Sequence, residues 1–163
     1  AGLNEWPLCE RLLGLVDPDL FLLAGRYTLL EQTALDSFLP ACATRGVGVV
    51  VGGPFNSGVL ATGPVAGAMY NYTLAPSWVL DRAKALQTAC RLHGVSLAQA
   101  ALQFPLGHPA VVSVIPGGQT PAEVERNAAM LAEPVPENLW SDLKLAGLIR
   151  ADALTPAEGI TAC

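Results

Sequence analysis

A chain of 163 residues that is 52% hydrophobic and only 14% charged carries enough apolar material for one sizeable core, which excludes an intrinsically disordered segment. A formal net charge of −5, with Lys84 and Lys144 as the only lysines, excludes the basic surface that tracks nucleic-acid phosphates or anionic lipid. Apolar runs are broken by glycine, proline or charge well before the roughly 18 residues of a membrane span. No basic segment followed by an apolar stretch opens the chain, so a soluble cytoplasmic protein is expected.

The elements alternate. Ala1-Gly2-Leu3-Asn4 reads as a loop running into a helix over residues 5–14, with Leu8, Leu12 and Leu13 on one side and Gly14 closing it. Residues 19–24, DLFLLA, form an unbroken apolar run between Pro18 and Gly25, which suits a strand buried on both faces. Thr33 with Asp36 starts a second helix, in which Leu35, Phe38, Leu39 and Cys42 recur at helical spacing and Pro40 predicts a kink. GVGVVV at 46–51 is the second buried strand, ended by Gly52-Gly53-Pro54. Residues 55–72 are glycine-rich, nearly uncharged and long for a plain connector, so a functional loop or lid is expected.

Ser77 caps a helix to about His93, with Ala83, Leu86, Cys90 and Leu92 as its apolar face. Ser96 with Gln99 makes a capping box for another, through about Leu106. Residues 110–115 are the third buried strand, Pro136 begins a last helix with Leu139, Trp140, Leu143 and Leu148 on its buried stripe, and the tail from Asp152 reads as frayed. Cys9, Cys42, Cys90 and Cys163 lack the spacing of a zinc site or a disulfide framework and read as buried thiols. The alternation predicts an α/β fold, a parallel sheet covered by helices. Three clear strands make neither a closed eight-stranded barrel nor a comfortable open sheet. The expectation is therefore part of a larger barrel, or strands supplied by another chain.

The stretch VVSVIPGGQTPAEVERN, 111–127, carries the sharpest local signal. A strand ends in Ile115-Pro116, Gly117-Gly118 turn the chain, and a helix opens with Thr120 as N-cap, Pro121 at its first position and Glu123 at its third. Free N–H groups and the positive end of the helix dipole favour an anion there, and glycines admit it to the backbone. The same Gly-Gly also serves as a simple strand-to-helix turn.

AGLNEW, LLAGRYTLLEQ, RGVGVVVGGPFNSGVLATG and SVIPGGQTPAEVERN, in that order, resemble the second half of an aldo-keto reductase, from the loop after the barrel's fifth strand to the C-terminal helix. The resemblance is greatest to the NAD(P)-dependent dehydrogenases of aldoses such as L-fucose and D-threo-aldoses, or of pyridoxal. It implies that residues 1–163 are the second half of a (β/α)₈ TIM barrel binding a nicotinamide dinucleotide at the C-terminal ends of its strands. On that resemblance Asn4 lies near the nicotinamide carboxamide. Pro54, Phe55, Asn56, Ser57, Gly58 and Leu60 fold over the pyrophosphate. Gly117, Gly118, Gln119 and Thr120 run along the adenosine phosphate and ribose, and Asn127 faces the adenine edge. Without it, Asn4 is a loop asparagine, 54–60 a flexible surface loop and Asn127 a solvated helix residue.

Three departures from the family pattern stand out. Ala24, followed by Gly25-Arg26-Tyr27, replaces a glutamine that contacts the nicotinamide. Gly52 replaces the tyrosine beneath its ring, and Phe55 is a candidate to stack there instead. Gly117 and Glu123 stand where NADP-preferring relatives carry a lysine and an arginine. A carboxylate beside the adenosine ribose repels a 2′-phosphate, which predicts NAD over NADP.

The family's catalytic tyrosine, lysine, aspartate and histidine belong to the other half of the barrel. None of Tyr27, Tyr70, Tyr72, Lys84, His93 and His108 stands in a matching motif, so no catalytic residue is assigned here. The expectation is the cofactor-binding half of an oxidoreductase that transfers a hydride between NAD(P) and a sugar or related aldehyde, inactive without the missing N-terminal half. The alternative is a non-catalytic half-barrel that binds a nucleotide or assembles through its exposed sheet edges. An unrelated phosphate-binding barrel enzyme is a weaker third possibility.

Overall fold

The structure, a computed structural model, describes residues 1–156. It opens with a two-residue strand, β1 (Gly2–Leu3), where the sequence reads as a loop; Gly2 and Leu3 pair with Leu22 and Leu23. So short a strand carries no periodic signal and is defined only by its partner. Helix α1 (Trp6–Leu15) takes Pro7 in its first turn, where the missing N–H costs nothing. It passes through Gly14 and buries Cys9 and Leu13, while Leu8 is exposed. Strand β2 (Leu20–Ala24) follows. Thr33 to Leu35 form only a 3-10 turn, and α2 (Phe38–Arg45) starts later than expected. Pro40 therefore falls in the first turn of α2 and kinks nothing. Gly46 closes α2 at φ 66°, a left-handed cap that favours glycine.

Strand β3 (Gly48–Gly52) leads into the long connection, which is not irregular throughout: it holds a single helical turn, α3 (Val59–Thr62), and a hairpin of β4 (Met69–Tyr70) and β5 (Thr73–Leu74). Helix α4 (Ser77–Leu92) has Pro76, not Ser77, at its N-cap; it buries Val79, Ala83, Leu86 and Cys90, and leaves Leu92 in solvent. Ser96 caps α5 (Leu97–Gln103) by accepting the Gln99 N–H at 3.1 Å. The Gln99 side chain does not close the box, because its amide donates to the Glu133 carbonyl instead. Strand β6 (Val111–Ile115), α6 (Pro121–Ala132) and α7 (Glu137–Leu145) complete the order, with Leu139, Trp140 and Leu143 buried as the stripe predicts and Leu148 half-buried beyond the helix end.

Strands β1, β2, β3 and β6 lie side by side in chain order, all parallel, so the sheet has four strands where the apolar runs mark three. The expectation that each strand is buried on both faces fails. Phe21, Leu23, Val49 and Val51 are fully buried beneath the helices. On the opposite face Leu20, Val112 and Ile115 are 42%, 59% and 51% exposed, with Leu22 and Val50 half-covered between them. A register shift between Val49 and Val50 against β6 turns the neighbours Val112 and Ser113 to this uncovered side together. Both faces are apolar although only one is packed.

The remaining contacts fix α6, whose N-terminus follows the Gly-Gly turn. The Gln103 amide donates to the carbonyls of Met130 and Glu133 at 2.7 and 2.6 Å, so α5 holds the far end of α6. The tail is packed, not frayed, from Asp152 to residue 156, and its remaining residues lie outside the described ones. Ala153 is fully buried, and the backbone of Leu154 and Thr155 lies so close to Gly107 that a Cβ there would sit 2.5 Å from Thr155. Cys9, Cys42 and Cys90 are free and buried, as expected, while Cys163 lies outside the described residues. Burial pushes the Cys42 and Cys90 thiols up to about 11, far from the reactive thiolate range. Among the described residues no helix is long and apolar enough to cross a membrane, and no group of side chains has metal-binding geometry.

Candidate functional site

Everything the sequence singles out lies at or beyond the C-terminal ends of the four strands. Asn4 follows β1 and is exposed. Gly25 follows β2, and its N–H donates to the Gly52 carbonyl at 2.8 Å; the Gly53 N–H donates to the Ile115 carbonyl at 3.1 Å. These two bonds continue the sheet ladder into the loops and align the rims of β2, β3 and β6.

At the end of β6 the turn forms as its residues predict. Thr120 Oγ accepts the Glu123 N–H at 3.3 Å, and Pro121 opens the helix. Gly117, Gly118, Gln119 and Thr120 are exposed. Among the described residues the N–H groups of Gly117, Gly118 and Thr120 have no protein acceptor. The two glycines differ in their reasons. A Cβ on Gly118 would crowd the Val124 side chain, 3.0 Å from its Cγ2, whereas a Cβ on Gly117 would point into open space. Glu123 Oε2 accepts the Gln119 N–H at 2.7 Å, so its carboxylate is occupied in capping and stands at the edge of the turn. Asn127 is not a solvated helix residue: it is 9% exposed, and its amide donates to the Gly117 carbonyl at 3.3 Å, bracing the turn from behind.

The strap of residues 53–74 leaves β3, the strand beside β6. Its first corner is strained. Asn56 and Ser57 have φ of 46° and 58° and Gly58 has φ 100°, a run of left-handed backbone that only glycine adopts without penalty. The Asn56 side chain offsets this by donating to the Gly25 carbonyl at 3.2 Å, while its Oδ1, buried, has no partner among the described residues. Pro54, Phe55 and Leu60 are buried, Phe55 within the hydrophobic core. A ring so enclosed is a poor substitute for a stacking tyrosine on an open crevice. Ser57 is exposed and Gly58 half-buried at the corner itself.

A polar cluster outside the sequence-derived set ties the strap to the β2 rim. Arg26 Nη1 donates to Glu31 Oε1 at 2.9 Å and to Asn71 Oδ1 at 3.0 Å; the Tyr70 hydroxyl donates to the same Glu31 oxygen, and the Tyr72 N–H donates to Ser57 Oγ at 3.2 Å. Burial, reinforced by Glu31, pushes the Tyr70 hydroxyl well above the usual phenol range, so it remains a donor. Its ring packs edge-on against Trp78. Nothing local in the sequence announces this cluster, since Arg26 and Asn71 are 45 positions apart; the left-handed tendency of asparagine at 56 and 71 is the one available clue.

Among the described residues, the titratable groups outside the strap make no catalytic arrangement. Lys84 is exposed on α4. His93 caps the end of α4 and its Nε2 lies 2.9 Å from Asp142 Oδ2. His108 is buried, its Nδ1 accepts the Ala110 N–H at 3.2 Å, and burial lowers its pKa. The Tyr27 ring packs against Phe104 and His108, and its buried hydroxyl has no partner among the described residues.

The same fold occurs in known proteins. Structures of an aldo-keto reductase from Bacillus halodurans, in apo and holo forms, superimpose with TM-scores of 0.69 and 0.67 at 24% identity, over 93% of this chain and 50% of theirs. The fold is therefore half of an aldo-keto reductase TIM barrel, not closed alone. Among curated relatives, the chain is 38% identical to a pyridoxal 4-dehydrogenase of Microbacterium luteolum over 91% of its length, and 45% identical to a D-threo-aldose 1-dehydrogenase of a Pseudomonas species over 82%. It is 28% identical to an L-galactose dehydrogenase of Arabidopsis thaliana. It spans 43%, 41% and 42% of those proteins respectively, less than half of each. Residues 13–146, which include three of the four sheet strands and the entire strap, match the aldo/keto reductase family, and the chain belongs to that family.

Proposed function

We propose that this chain is the cofactor-holding half of an NAD-dependent dehydrogenase acting on an aldose or a related aldehyde or alcohol. The observation that carries the proposal is the turn after β6, where backbone donors at Gly117, Gly118 and Thr120 stay open on a capped helix start. A dinucleotide fits these residues: Gly117 leaves space for a phosphate beside the open N–H donors of the turn. Gly117, Gly118, Gln119 and Thr120 would hold the adenosine phosphate and ribose, with Asn127 behind them. Asn56, Ser57 and Gly58 would cover the pyrophosphate, and Asn4 would face the carboxamide. When bound, the dinucleotide supplies the hydride acceptor.

This chain's own residues bind and orient; they do not transfer the proton. Glu123 places a negative charge beside the adenosine site, which favours free ribose hydroxyls over a second phosphate and supports NAD over NADP. The aldose and pyridoxal activities in the relatives' names support the substrate class. Proton transfer requires a group within hydrogen-bond reach of the substrate oxygen, and the tyrosine, lysine, aspartate and histidine expected for it belong to the other half of the barrel. That half would cover the bare face around Leu20, Val112 and Ile115. NADH formation from L-fucose, D-threo-aldoses and pyridoxal is the test. Turnover is expected from the complete barrel and none from residues 1–163 alone; turnover by the isolated chain, or no dinucleotide binding by the complete barrel, would overturn the proposal.

A further inference from the structure

The strap owes its course to an unusual set of backbone conformations. Every non-glycine residue with left-handed φ among the described residues lies within it: Asn56 and Ser57 at one foot, Asn71 and Tyr72, at 49° and 63°, at the other. Left-handed backbone persists at such residues only where surrounding contacts over-determine it. The two feet are joined directly, Tyr72 N–H to Ser57 Oγ at 3.2 Å. Both are also tied to the β2 rim, by Asn56 to the Gly25 carbonyl and by Asn71 to Arg26.

Arg26 is the hub of these ties. One guanidinium nitrogen meets the Gly25 carbonyl, Glu31 and Asn71, and Glu31 accepts the Tyr70 hydroxyl, so the loop after β2 and the hairpin converge on one cation. The Arg26 and Glu31 side chains are only 26% and 19% exposed, so solvent screens the pair weakly. Charge-assisted hydrogen bonds of this kind are roughly twice as strong as neutral ones. We infer that Arg26 is a positioning residue. Through Asn71 and the Tyr72–Ser57 bond it holds the Asn56-Ser57-Gly58 corner in the form that covers a dinucleotide's pyrophosphate, before any ligand is present. This rests on the function proposed above for that corner, but the geometry of the hub does not.

The complete barrel polypeptide, wild type and Arg26→Met, tests the inference in two arms. Amide hydrogen exchange without cofactor reads the strap directly. Arg26→Met should speed exchange at Tyr72 and across residues 56–58 by about tenfold or more while amides of β3 and β6 stay unchanged, and Tyr70→Phe, which keeps the ring on Trp78, should give a smaller rise. Steady-state kinetics should show the KM for NAD⁺ raised about tenfold in Arg26→Met with kcat unchanged or higher. Arg26→Lys, which keeps the charge but loses the fork, should recover part of that loss. Unaltered exchange in both variants would overturn the inference. So would an altered exchange accompanied by an unchanged KM, because the hub would then shape the hairpin without positioning the corner. If the wild-type barrel binds no dinucleotide, the functional proposal fails while the exchange arm still decides what Arg26 holds.

Discussion

Replacing Glu123 with glutamine isolates its charge from its capping role. The glutamine carbonyl retains an acceptor for the Gln119 N–H, which Glu123 Oε2 now takes at 2.7 Å. A phosphate seated on the far side of that N–H lies roughly 6 to 7 Å from the carboxylate, since a further hydrogen bond of ~3 Å separates it from the turn. In water's dielectric, unit charges at ~6.5 Å interact by about 0.6 kcal/mol, and a 2′-phosphate carrying close to two charges doubles this to about 1.2 kcal/mol. Glu123→Gln should therefore raise the affinity for NADP⁺ relative to NAD⁺ roughly eightfold. Fluorescence titration of wild type and variant with both dinucleotides measures the ratio. The gap should shrink at high salt, because the pair is half-exposed. A ratio that stays constant, or a wild type that already prefers NADP⁺, would refute the assignment of selectivity to this carboxylate.

The uncovered face bearing Leu20, Val112 and Ile115 predicts that residues 1–163 produced alone associate through the sheet; sedimentation showing a stable monomer would contradict this. Gly107→Ala should destabilise the chain by ~1–3 kcal/mol, because its new Cβ meets the backbone of Thr155 rather than a side chain that can swing aside; the denaturation midpoint reports it. Burial holds the His108 pKa below the ordinary 6.5, so the unfolded chain binds the additional proton first. Stability should accordingly be full above pH 6.5 and decline as pH falls below it, with a flatter decline in His108→Asn. Ser96→Ala removes the acceptor for the Gln99 N–H and should cost about 1 kcal/mol, visible as an equivalent shift in the denaturant midpoint.

The amino-acid sequence alone determined the local chemistry. Thr120, Pro121 and Glu123 begin α6 because a cap, a proline and a carboxylate act within one helical turn, and the apolar runs at 20–24, 48–52 and 111–115 are strands because each is short, apolar along its length and bounded by turn residues. The family resemblance was legible for the same reason, since its motifs are local. Tertiary structure decided what depends on distant partners. Gly2 and Leu3 become a strand only beside Leu22 and Leu23. Leu20 and Val112 are exposed despite being as apolar as their buried neighbours, because burial is a property of what lies opposite. Arg26, Glu31, Tyr70 and Asn71 meet only where the strap crosses the β2 rim. Asn127 braces Gly117 across ten residues and a turn. A helix start is written in four residues, whereas a latch or an uncovered sheet face is set by the path of the whole chain.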